Sequence, residues 1–87
     1  MKIDFNNLPI RDIEGNLKPR GIAKELGNLI YSETSDLGEL DIAMRIYKEG
    51  CTELTNEEVD IVRKYIFKGF KAFVQKAFED ACKEGTE

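Results

Sequence analysis

The chain contains no histidine and no tryptophan, and only two cysteines and two prolines. Each scarcity closes a class of function. Without histidine the commonest general base near neutral pH is missing, so Ser-His-Asp and Cys-His catalysis cannot be built within one chain. Two-carboxylate or lysine chemistry stays formally open. However, 17 acidic residues on so small a protein create incidental pairs throughout, and none stands out as a catalytic set. The expectation is a protein that is not an enzyme. Zinc is nearly excluded too, because two thiolates alone cannot close a tetrahedral site. Cys51 and Cys82 lack a C-x-x-C spacing and read as ordinary reduced thiols, with a disulfide in an oxidising setting as the alternative.

Long apolar runs are missing as well. None approaches the roughly 20 residues that span a bilayer, and the start M-K-I-D-F-N-N has no apolar signal-peptide region. A cytoplasmic protein with no membrane, metal or cofactor partner is expected. A calcium loop is absent for a specific reason: in E-T-S-D-L-G, residues 33–38, Leu37 stands where an oxygen ligand belongs.

What is present fits one small domain over residues 1–87, with 41% apolar and 34% charged residues. A chain this short buries a modest share of its surface and has a thin stability margin. The fold expected is mainly α: an N-terminal β-hairpin over 1–20, then a bundle of three to four short helices over 21–84. Ile3 and Phe5 alternate with polar neighbours as a half-buried strand requires. Glu14-Gly15-Asn16 is turn chemistry between Ile10 and Ile13 on one side and Leu17 on the other.

Helical spacing places Ile22, Leu26, Leu29 and Ile30 on one face of a first helix over 21–32. Gly27 inside it marks either a close helix approach or a tolerated surface position. Ser35 or Asp36 caps a second helix over 36–49, which Gly50 ends. There Leu37, Leu40, Met44 and Tyr47 form a stripe that Ile42, Ala43 and Ile46 widen past half the circumference. Such a helix is either covered on two sides or presents a flank to a partner. Thr55 and Glu58 make a capping box, with Leu54 and Val59 as a hydrophobic staple, so a helix begins at Thr55. Val59, Val62, Ile66, Phe70, Phe73, Ala77 and Ala81 keep one face across Gly69. One long helix would suit them, yet Ile61, Tyr65, Phe67 and Phe78 fall off that stripe. A break at K-G-F, giving helices over 55–67 and 70–83, accommodates them better.

Charge is segregated. Residues 33–60 carry nine acids and two bases, a net of −7, whereas residues 61–78 carry five bases and no acid. On a continuous helix Lys64, Lys68 and Lys71 share a face, a candidate set of phosphate contacts for a small DNA-associated transcriptional regulator. The competing expectation is a solvated face partly paired with the acidic middle of the same chain. A helix that opens with acids is also a poor recognition helix. The apolar surplus either lies under the hairpin folded over the helices or marks contact with another protein or self-association. The residues singled out for that surface are Tyr31, Ile42, Ile46, Tyr47, Ile61, Tyr65, Phe67 and Phe78.

An I-D-F start with a D-x-E-G turn, then E-L-G-N-L-I-Y, D-I-A-M-R-I-Y-K-E-G and an acidic L-T-N-E-E helix start, occupy most of the chain. In these segments it resembles small prophage-encoded accessory and assembly proteins of gut and other low-oxygen bacteria. The resemblance implies a phage-borne protein that works by protein contact, and it transfers no catalytic residue.

Overall fold

Among the described residues the chain folds into four helices, two of which start at side-chain caps. The structure, a computed structural model, describes residues 1–85; Thr86 and Glu87 of the expected domain lie outside the described residues. Helix α1 spans Ala23–Glu33, α2 Leu37–Glu49, α3 Asn56–Gly69 and α4 Ala72–Gly85. The fold is mainly α, with a small β element at the N-terminus.

The capping box forms as its spacing predicts. Glu58 N–H donates to Thr55 Oγ1 at 3.2 Å and Thr55 N–H donates to Glu58 Oε1 at 3.0 Å, which satisfies two donors that a helix start otherwise leaves open. Leu54 and Val59 are both buried, so the staple also forms. Thr55→Ala is expected to lower stability by about 1 kcal/mol, read as a reduced urea midpoint with an unchanged slope. At α2 the cap is Asp36, whose carboxylate accepts from Gly38 N–H at 3.0 Å. No reciprocal box forms there, because Thr34 Oγ1 takes the Asp36 N–H and Glu39 is drawn into a tertiary contact.

Residues 8–20 double back as the expected hairpin, held by antiparallel bridges at Leu8–Arg20 and Arg11–Leu17. Its turn is stiff. The Asp12 carboxylate accepts from Glu14 N–H and Asn16 N–H, both at 2.9 Å, and Gly15 takes φ 89°, which an L side chain resists. Sequence periodicity missed a second pairing. Strand β1 (Lys2–Asp4) runs antiparallel to β2 (Cys51–Glu53), a three-residue segment that reads as a plain link between helices. Gly50 permits it: with φ 73° and ψ −54° it turns the chain directly out of α2 into β2, and its carbonyl accepts from Phe5 N–H.

The break between α3 and α4 falls at Phe70 and Lys71, as the off-stripe residues require. Phe70 is extended, and Gln75 reaches back to donate to the carbonyls of Phe70 at 2.9 Å and Phe67 at 3.4 Å. Gly69 lets the end of the Leu29 side chain from α1 sit against the α3 backbone. The break resets the helical phase. Val59, Val62, Tyr65 and Ile66 are buried from α3, and Val74, Ala77, Phe78 and Cys82 from α4. Phe73, in phase for a continuous helix, is therefore exposed. Phe5 stacks on Phe78 with ring centroids 6.3 Å apart, tying the N-terminal segment to α4. Cys82 is buried, which pushes its thiol up, and Cys51 and Cys82 form no disulfide. No helix among the described residues is long and apolar enough to cross a membrane.

Candidate interaction surface

Helix α2 carries more apolar side chain than its neighbours cover. Ile42, Ala43 and Ile46 are buried, whereas Leu37, Met44 and Tyr47 are exposed and Leu40 is half-buried. The stripe that helical spacing picks out first thus faces outward, and the residues that merely widen it face the core. Gly27 accounts for the arrangement. A Cβ placed on it would lie 2.8 Å from Tyr47 Cβ and 3.0 Å from the Ala43 carbonyl oxygen, so α1 and α2 touch almost backbone to backbone. Gly27 marks a close helix approach.

Above this contact lies a slot. Tyr31 of α1 and Met44, Tyr47 and Lys48 of α2 form its walls, over Asn28 and Ala43. Its volume is about 190 Å³ and its lining is mostly apolar. That is room for a single aliphatic side chain, below the roughly 300–1,000 Å³ typical of small-molecule sites. A wider, open cleft of about 620 Å³ runs between the hairpin and α4, with Ile10, Ile13, Lys18, Phe73 and Lys76 among its lining residues.

Several of the residues expected on an interaction surface are elsewhere. Tyr31, Tyr47 and Phe67 are exposed, and Ile61 is half-buried against the core. Ile42 and Ile46 are buried because the α1 contact turns their side of α2 inward, which corrects their assignment. Tyr65 and Phe78 are buried because the break at Phe70 brings both onto the inner faces of shorter helices, and they too leave the surface set. On α2 it is Leu37 and Met44 that are exposed instead, and Phe73 of α4 and Ile13 of the hairpin are exposed elsewhere. Leu37 and Met44 were visible in the α2 stripe. Phe73 was hidden by its phase match to α3.

The lysine row does not exist as one face. Lys71 sits in the α3–α4 link rather than on a continuous helix. Lys68 pairs with Glu33, and Lys64 lies 3.7 Å from Glu39. Arg63 forms a two-pronged pair with Glu79 at 2.6 and 3.2 Å and also reaches Asp60 at 2.7 Å. Arg45 bridges Asp41 and Glu58. The basic segment is thus largely matched by acids of the same chain, which leaves less charge for a phosphate backbone.

Glu39 is the hub of this matching. Tyr65 Oη donates to Glu39 Oε1 at 2.7 Å and Thr34 Oγ1 donates to the same oxygen at 2.9 Å. Those two donors, Tyr65 first, hold the Glu39 carboxyl below its ordinary 4.5 against the opposing effect of burial, with Lys64 assisting. The Tyr65 phenol is pushed up by the same bond and by burial. Glu58 is also held low, chiefly by the Thr55 N–H. Carboxyls depressed in the folded state stabilise it above their unfolded value and cease to as pH falls through the folded one. The urea midpoint is therefore expected to fall between about pH 5 and about pH 3, and Tyr65→Phe to flatten part of that limb. Glu39→Ala, which strands the largely buried Tyr65 hydroxyl, is expected to cost about 1–3 kcal/mol near neutral pH.

Among the described residues, no group of three or more Cys, Asp or Glu side chains is placed to hold a metal ion. Comparison of the chain with protein-family models, with curated proteins and with solved structures returns no match. The surface must be read from its own chemistry.

Proposed function

We propose that the protein is a non-enzymatic protein-interaction module of the phage or prophage accessory and assembly type, acting in the cytoplasm without a cofactor. The observation that carries this reading is the apolar slot of Tyr31, Met44 and Tyr47, continued along α2 by exposed Leu37. Apolar side chains clustered on one exposed helix pair favour burial against another protein, and the slot is smaller than a typical small-molecule site. The neutralised lysines count against the reading as a DNA-associated regulator, for which a mobility shift at low salt would be needed.

Tagged wild-type protein and a Met44→Glu variant, returned to the source cells, test the proposal. Met44 is exposed, so the variant should keep the helical circular dichroism of the wild type. A protein recovered with the wild type and lost with the variant supports the slot as the contact. Equal recovery with both, or recovery of nothing by a strictly monomeric chain, overturns it.

A further inference from the structure

We infer that the slot between α1 and α2 receives Ile13 from a second copy of the chain, in a head-to-tail contact. This rests on the reading of the slot as a protein-binding surface and names its occupant. Ile13 is 103% exposed, more than any other large apolar residue described. It does not sit on a loose loop. The Asp12 carboxylate and the Arg11 guanidinium, which donates to Gly15 O at 3.1 Å, fix the turn that presents it. Because the turn backbone is already ordered, docking this side chain orders little more than its own rotamers. The slot, at about 190 Å³ and mostly apolar, has the size and character to take one such side chain.

Charge agrees with this occupant. Glu14 stands next to Ile13 and Lys48 lines the slot, and neither makes an ion pair among the described residues. Docking Ile13 beside Met44 sets these opposite charges near one another. Knob and slot share no residue, so a chain that uses one keeps the other. Used head-to-tail, the contact is heterologous and propagates into rings or open filaments; a wild type that stops at a dimer would instead show two chains exchanging knobs reciprocally, and would overturn the head-to-tail arrangement.

The contact is small and its affinity correspondingly weak, so sedimentation velocity is run on purified full-length chain over a wide concentration range. The wild type is expected to form species larger than a dimer as concentration rises. Ile13→Asn and Met44→Glu are each expected to weaken association by about tenfold to a hundredfold, as withdrawing one aliphatic side chain from an apolar slot implies. Ile13→Asn removes no buried contact and is expected to leave the urea midpoint unchanged. The decisive sample is the equimolar mixture of the two variants. It retains one intact knob and one intact slot, and is expected to give a one-to-one dimer that grows no further. Exchanging the charges in the double variant Glu14→Lys, Lys48→Glu is expected to restore what Glu14→Lys alone loses. A wild type that stays monomeric, association that survives Ile13→Asn, or a variant mixture that stays monomeric would each overturn the inference. A monomeric wild type whose slot still captures another protein would overturn it while leaving the proposed function intact.

Discussion

Phe78→Ala is expected to lower folding stability by about 3–5 kcal/mol, the range for removing a fully buried aromatic ring. Phe78 is 0% exposed, stacks on Phe5 and lies under the Arg63 guanidinium. Its removal opens a cavity where the N-terminal segment meets α4, so β1 loses its seat as well as one wall of the core. For a small domain whose whole stability is of order 5–15 kcal/mol, a large fraction of molecules would unfold on modest warming. Thermal denaturation followed by circular dichroism, with Phe67→Ala as the exposed control, checks this. Phe67 is 51% exposed, and its variant is expected to shift the midpoint only slightly. Similar small losses from both would mean that Phe78 is a surface residue after all.

Gly27→Ala is the second large effect, and its sign runs against helix propensity. In an isolated helix alanine is favoured over glycine by about 1 kcal/mol. Here the added methyl meets Tyr47 Cβ and the Ala43 carbonyl, neither of which is the yielding end of a long side chain. The two helices must part by several tenths of an ångström, and overpacking of this kind costs about 1–3 kcal/mol. The net expectation is a loss of stability, with a larger loss for Gly27→Val. Because Tyr47 is also a wall of the slot, the same substitution deforms the surface proposed to bind a partner. Urea titration measures the first consequence and binding by the Gly27→Ala protein measures the second. A gain in stability would show that α1 and α2 do not approach as closely as described.

Local rules carried the helices. The Thr55–Glu58 box, the Asp36 cap and Gly50 are decided within a few residues of themselves; α2 starts and stops, and α3 starts, where those signals stand. The break at Phe70 was only half readable: Tyr65 and Phe78 had no place on a continuous stripe and favoured a break at K-G-F, but one long helix stayed open. Strand β2 was not readable. Cys51–Glu53 has no alternation long enough to detect, and it is a strand only because Lys2–Asp4, about fifty residues away, pairs with it.

The surface was half legible. The apolar excess of α2 is plain in the sequence, but which part faces outward depends on where α1 lands. That is set by Gly27, a residue whose two readings the sequence left open. Ile42 and Ile46 were therefore placed on the wrong side, and Leu37 and Met44 took their positions. Ile13 was read as part of a hairpin edge. It lies in the short turn around Asp12 and Gly15, at the open edge of the cleft toward α4, where nothing covers it.

Side-chain footprinting by hydroxyl radicals tests the role of the α1–α2 surface most directly, comparing dilute purified protein with protein in its source cells. Tyr31, Met44 and Tyr47 are oxidisable and exposed, and Phe67 and Phe73 provide exposed references. The predicted result is severalfold protection of Tyr31, Met44 and Tyr47 in the cell, with Phe67 left as reactive as in dilute solution. Unchanged reactivity at those three positions, or protection confined to Phe67 and Phe73, would contradict it.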